Sequence, residues 1–174
     1  MEKLNKKLVQ ELKAPFHAYL LLGNNSSNLL RQAKIFGSKI LFDVEDEREH
    51  PDIKIVASEN LNTLGVEDIR NIIENDGLVP VQAQYKIIIF PPVKSLTEEA
   101  SNALLKTLEE PSESSIFILT SNGKFWSHAR DDSLLGVLST VKSRCRTIFI
   151  DSNIKTEFNF VEDDFINFME SNKR

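Results

Sequence analysis

From Lys86 to Pro111 the chain reads Lys-Ile-Ile-Ile-Phe-Pro-Pro-Val-Lys-Ser-Leu-Thr-Glu-Glu-Ala-Ser-Asn-Ala-Leu-Leu-Lys-Thr-Leu-Glu-Glu-Pro. The first part is an unbroken apolar run, which predicts a strand over residues 85–90 that is covered on both faces, as in a parallel sheet. The second part has apolar residues at helical spacing up to Leu108, and Pro111 ends that pattern. This stretch therefore predicts a buried strand followed by an amphipathic helix.

Apolar runs and helical patterns alternate in the same way from residue 4 to residue 150. This alternation predicts an α/β fold, a five-stranded parallel sheet with helices on both faces. We place a capping box for the helix of the quoted stretch at Ser95 and Glu98. The acidic segment 43–52 has no periodicity and is interpreted as an exposed connection. The remaining predicted strands are 18–22, 53–56, 116–120 and 147–150, and the remaining predicted helices are 4–12, 28–41 and 65–74.

Length and composition limit the kind of protein that this chain can form. The 174 residues, 41% hydrophobic and 27% charged, suit one globular domain. The formal net charge of -5 argues against a large basic surface for gripping nucleic acid, although it allows a local basic patch. A single cysteine, Cys145, excludes an intrachain disulfide and suits a reducing cytoplasm. No signal peptide or membrane-length apolar run is present, so we expect a cytoplasmic protein with no membrane partner.

The loop after the first predicted strand departs from a phosphate-binding loop. Parallel sheets place their ligand sites at the carboxyl ends of the strands, and the pattern expected there is G-x-x-x-x-G-K-S/T. This chain has the first glycine, Gly23, but Asn28, Leu29 and Leu30 replace the second glycine, the lysine and the hydroxyl residue. One glycine is weak evidence, so this loop alone favours an ordinary strand-to-helix turn over a vestigial phosphate loop.

The end of the predicted strand 85–90 is a second place where the chain differs from P-loop NTPases. P-loop NTPases carry acidic residues there for magnesium and for activation of water. Here Pro91 and Pro92 stand at those positions, and neither has a carboxylate. A strand terminator is the simpler explanation for the prolines alone. Two independent losses at the two expected places favour a nucleotide-hydrolysing scaffold whose own activity is lost.

A basic cluster at 142–146 precedes the last predicted strand and contains Ser143-Arg144-Cys145. Together with 100–111, this motif resembles the delta-prime family of bacterial DNA polymerase III clamp-loader subunits, within the AAA+ ATPases. The resemblance covers about residues 15 to 150 and includes further matching segments. These are His17-Ala-Tyr-Leu, His50-Pro51-Asp52 and residues 62–70.

The resemblance implies a RecA-like AAA+ domain over residues 1–150 and a role in DNA replication. It implies that Arg144, within Ser143-Arg144-Cys145, acts in trans as an arginine finger in a neighbouring subunit's ATP site. Asn122 corresponds to the sensor position at the end of the fourth strand. The resemblance also implies a subunit inactive as an ATPase, without cofactor or metal, that joins gamma or tau and delta subunits and reaches the sliding clamp and primed DNA through the assembly.

Three departures from the family pattern leave alternatives open. The cysteines of a zinc module are absent before His50. The connection 123–142 is longer than usual, and we interpret it as a loop insertion rather than a partner contact. The pattern of residues 151–174 predicts one amphipathic helix, which is either the start or the remnant of the helical lid domain found in the family. The helical collar domain of the family is absent, so the chain is either truncated or naturally short. A stand-alone interaction module, or less favourably a weak ATPase, is the alternative to a loader subunit.

Overall fold

The computed structural model describes residues 3–57, 63–75, 79–92, 95–122 and 139–150. The helices are α1 (Lys6–Glu11), α2 (Ser26–Phe42), α3 (Val66–Arg70), α4 (Glu98–Glu109) and α5 (Ser139–Lys142), and a π-helical turn, Asn71–Asn75, continues α3. The strands are β1 (Ala18–Leu22), β2 (Ile53–Ile55), β3 (Thr63–Leu64), β4 (Lys86–Phe90), β5 (Ser95–Leu96), β6 (Ser115–Ser121) and β7 (Arg146–Phe149). Within the described residues, no helix is both long enough and apolar enough to cross a bilayer.

Five strands form one parallel sheet in the order β2-β4-β6-β1-β7. The three central strands β1, β4 and β6 are buried along their whole length, which is why each contains an apolar run rather than an alternating pattern. The predicted five-stranded parallel sheet is confirmed.

Helices cover both faces of this sheet, as predicted. Alternate residues of the central strands point to opposite faces, and each face builds its own apolar cluster with its helices. Leu8 of α1 and Phe36 of α2 pack on one face, whereas Leu104 of α4 and Val141 of α5 pack on the other. Gly37 lets α2 approach β4 closely, because a Cβ atom there would lie 3.2 Å from the Cγ2 atom of Ile87.

Two local predictions were wrong. The helix of the quoted stretch is capped by Thr97, whose side chain accepts a hydrogen bond from the Ala100 N–H, and not by Ser95 and Glu98. Residues 95–96 instead form β5, which pairs with β3 in a small parallel sheet, and the helix begins only after it. The segment 43–52 is not exposed throughout, because Asp52 is fully buried. The predictions for residues 123–138 and 151–174 lie outside the described residues.

Candidate functional site

The carboxyl ends of β1, β4 and β6 meet at one edge of the sheet, as expected from their parallel pairing. The Gly23 N–H donates to the carbonyl of Ser121 at 3.3 Å, which joins the ends of β1 and β6. The hydroxyl of Thr120 donates to the carbonyl of Phe90 at 2.6 Å, which joins the ends of β6 and β4. The sequence-predicted positions 23, 91–92 and 122 therefore lie along a single edge, which we call the carboxyl edge.

The loop from β1 to α2 is tight and partly filled by its own side chains. A Cβ atom at Gly23 would lie 2.9 Å from the carbonyl oxygen of Ile150, so only glycine fits. The side chain of Asn25 accepts a hydrogen bond from the Asn28 N–H at 2.9 Å, and this cap uses one of the free N–H groups at the start of α2. That N–H is consequently not available to a phosphate.

Leu29 and Leu30 point into the protein rather than toward the carboxyl edge. Leu29 is 1% exposed and belongs to the apolar cluster beneath α2, and Leu30 packs against the same cluster. A lysine and a hydroxyl at these positions would reach the phosphates and Mg²⁺ in a phosphate-binding loop. Here the two side chains stabilise the contact of α2 with the sheet instead.

The remaining positions of the carboxyl edge hold no acidic group. Pro91 and Pro92 are both buried. Asn122 is exposed, and its side-chain amide donates to the hydroxyl of Ser26 at 2.7 Å, across the gap between the end of β6 and the start of α2. The side chain of Asn122 is thus bound to the first residue of α2, next to the loop that follows β1.

The Ser143-Arg144-Cys145 motif follows the short helix α5; its first two residues donate to the same carbonyl, that of Thr140, and its third packs against the core. The hydroxyl of Ser143 donates to the carbonyl of Thr140 at 2.8 Å and satisfies that carbonyl at the helix end. Cys145 packs against the core, and burial raises the pKa of its thiol to about 12, so the thiol is not a reactive group. Val141 is fully buried and fixes α5 on the sheet.

Arg144 is held by two groups of its own chain while part of its side chain stays in solvent. One terminal nitrogen of its guanidinium donates to the Thr140 carbonyl at 2.8 Å, and the other donates to the carboxylate of Glu109 at the end of α4. The side chain of Arg144 is 32% exposed and that of Glu109 is 51% exposed. The guanidinium is therefore oriented, charged and accessible.

Arg146, in the same basic cluster, has a different environment. It forms an ion pair with Glu11, which also accepts a hydrogen bond from the hydroxyl of Tyr19, and its guanidinium lies 4.8 Å from the ring centre of Phe16. Burial, together with the neighbouring carboxylate of Glu11, raises the pKa of Tyr19 to about 12, against the opposing effects of the Phe16 backbone and Arg146. These contacts join α1 to β1 and β7, so Arg146 has a structural role.

Arg144 lies at the opposite edge of the sheet from the other predicted positions. It precedes β7, in which Arg146 pairs with Tyr19 of β1, whereas Gly23 follows the end of β1. The four steps along the chain from Tyr19 to Gly23 span about 13 Å at roughly 3.3 Å per residue. The structure thus groups Gly23, residues 91–92 and Asn122 at the carboxyl edge, places Leu29 and Leu30 in the apolar cluster, and keeps Arg144 apart from them. Glu109 was missed as a partner of Arg144, since no local pattern connects residues 35 positions apart.

The strand order, with β1 between β6 and β7, is that of a P-loop NTPase-like α/β fold. The profile of the family described as "DNA polymerase III, delta subunit" matches residues 1–153. The chain therefore belongs to this family, and it is similar to curated delta-prime subunits of DNA polymerase III.

Known relatives agree with this assignment. The chain is 41% identical over 96 residues to DNA polymerase III subunit delta-prime of Buchnera aphidicola subsp. Schizaphis graminum, an alignment that covers 55% of this chain and 26% of the relative. A gamma subunit-related protein of Thermotoga maritima superposes with a TM-score of 0.65 and 23% identity, over 87% of this chain and 46% of that one. The clamp loader delta protein of Bacillus subtilis superposes with a TM-score of 0.52 and 13% identity, over 83% and 41% of the two chains. The two solved structures show the fold alone. The stretch of this chain that aligns with the Buchnera relative spans about a quarter of that relative's length.

Proposed function

We propose that this chain is a non-catalytic subunit of the DNA polymerase III clamp loader that helps place the sliding clamp on primed DNA. In this role it lends Arg144 to the ATP site of a neighbouring subunit. The observation that carries the proposal is the separation of the two edges, because an accessible arginine lies at the edge remote from the chain's own degenerate site. A guanidinium is permanently charged and can bind phosphate oxygens with two parallel hydrogen bonds, as an arginine finger requires.

The contacts at the carboxyl edge support the loss of this chain's own ATPase activity. The positions for a phosphate-binding lysine and a magnesium-binding hydroxyl are packed as Leu29 and Leu30. The positions for the acidic pair are the buried prolines Pro91 and Pro92. No single substitution would restore the site, since charge and metal ligands are missing from two separate loops.

Isothermal titration of the purified chain with ATP and Mg²⁺ is expected to give no saturable heat up to about 1 mM ATP, a limit equivalent to a binding free energy of about -4 kcal/mol. An ATPase-competent gamma subunit in the same buffer is the positive control. Magnesium-dependent binding at micromolar ATP would contradict the proposal and would favour the alternative of a weak ATPase.

Assembly is the direct test of a loader role. When the chain is mixed with gamma or tau and delta subunits, we expect it to co-elute with them in size-exclusion chromatography. The matched control is the same mixture with the chain added after heat unfolding. Elution of the folded chain apart from the other subunits, at micromolar concentrations of each, would favour a stand-alone interaction module instead.

A further inference from the structure

We infer that Glu109 is a positioning residue for Arg144, which orients the guanidinium for a neighbouring subunit's phosphates. This inference rests on the proposed role of Arg144 in trans. It adds a second residue, from a different helix, to the group that serves the neighbour's ATP site.

Two fixed elements hold the pair together. Glu109 is the last residue of α4, and its predecessor Leu108 is 2% exposed in the core, so the end of this helix is anchored. Arg144 follows α5, which Val141 anchors on the same face of the sheet. The guanidinium bonds to Glu109 from one terminal nitrogen and to the Thr140 carbonyl from the other. Bonds at both terminal nitrogens fix the plane of the guanidinium, which a single contact would leave free to rotate.

The exposure of the Arg144–Glu109 pair indicates that Glu109 orients the guanidinium without holding it away from a nucleotide. Both side chains remain partly in water, with exposures of 32% and 51%, and such an ion pair contributes little free energy. A pair this weak cannot keep Arg144 away from the multiple negative charges of a nucleotide. It can still narrow the range of directions that a long, flexible side chain adopts, and catalysis is sensitive to misplacement of about 1 Å. Loss of Glu109 therefore affects the rate at the neighbour's site more than the stability of the fold.

The experiment compares Glu109→Ala and Glu109→Gln in a loader assembled with the ATPase subunits. Glu109→Ala is expected to lower kcat for ATP at the neighbour's site about 5- to 10-fold with little change in KM, because it removes orientation and not nucleotide contacts. Glu109→Gln keeps an oxygen that accepts the hydrogen bond, so we expect its kcat within about 3-fold of the wild type. Neither variant is expected to change the melting temperature of the isolated chain.

Glu110→Ala is the matched control. Glu110 is the next residue along the chain, is exposed and has the same charge, so its variant should leave kcat within about 2-fold. The double variant Arg144→Ala/Glu109→Ala should be no slower than Arg144→Ala alone, because Glu109 acts only through Arg144.

The outcomes separate the inference from the proposed function. If Arg144→Ala slows turnover but Glu109→Ala does not, or if Glu109→Ala accelerates it, the positioning role is overturned and the arginine finger stands. If Arg144→Ala has no effect, the finger is overturned and the positioning role with it. An equal loss in Glu110→Ala would also overturn the inference, since it would indicate a general effect of charge.

Discussion

Replacing Arg144 with alanine is expected to slow ATP turnover at the neighbouring subunit's site by at least about 100-fold, since arginine fingers supply about 10³–10⁵ in kcat. The physical reason is that the guanidinium neutralises charge that develops on the phosphates in the transition state. The measurement is single-turnover hydrolysis in an assembled loader in which the remaining ATP sites are inactivated. Only the site beside this chain then contributes to the rate.

Two variants make this experiment specific. Lys142→Ala removes the same charge from an exposed residue of α5 two positions earlier, and we expect its rate within about 2-fold of the wild type, since the loss of one exposed charge alone has a small effect. Arg144→Lys keeps the charge but loses the planar pair of donors, so its rate should fall between those of wild type and alanine. An unchanged rate in Arg144→Ala, with assembly intact, would remove Arg144 from the mechanism.

The sheet could be predicted from the sequence because its central strands are buried on both faces. Such strands are continuous apolar runs, and those at 18–22 and 86–90 are bounded by turn residues at both ends. Parallel pairing then places the carboxyl ends at one edge, so the grouping of Gly23, Pro91 and Asn122 also followed from the sequence. The separation of Arg144 from that edge follows from its position before a strand rather than after one.

The unpredicted features depend on contacts between distant residues. Ser95 has the right residue type for a helix cap, but pairing of β5 with β3 delays the helix to residue 98. Glu109 belongs to the stretch 86–111, which clearly predicts β4 and α4, yet its contact with Arg144 depends on the position of α5. Asp52 looked like the end of an acidic loop, and its burial depends on backbone groups near residue 82. Local patterns carry no information about such partners.

Asp52 is an anion buried in the fold without a salt-bridging lysine or arginine among the described residues. Its carboxylate accepts hydrogen bonds from three consecutive backbone N–H groups, those of Val81, Gln82 and Ala83. Its own carbonyl accepts from the Ile87 N–H at 2.7 Å. Asp52 immediately precedes β2 and the three N–H groups precede β4, so this residue fixes the start of two paired strands.

Asp52→Asn is therefore expected to lower the free energy of unfolding by about 2–4 kcal/mol, a large effect for one isosteric change. The amide keeps one acceptor oxygen, but its NH₂ group faces backbone N–H donors and cannot bond to them. Urea denaturation at pH 7 measures the change. Glu49→Gln is the matched control, because Glu49 is exposed three residues earlier and should change the stability by no more than about 0.5 kcal/mol.

The pH dependence gives an independent check on the same contacts. Burial alone would raise the pKa of Asp52, but the three backbone N–H donors and, to a smaller extent, the neighbouring His50 outweigh it and hold the pKa below its usual range. Because the folded pKa lies below the unfolded value of about 3.9, the stabilisation is present above about pH 4 and is lost as the pH falls through the folded pKa. The difference in stability between wild type and Asp52→Asn should consequently persist down to about pH 4 and shrink as the solution becomes more acidic. A difference below about 1 kcal/mol at pH 7, or one that grows on acidification, would show that the three N–H groups do not stabilise a carboxylate here.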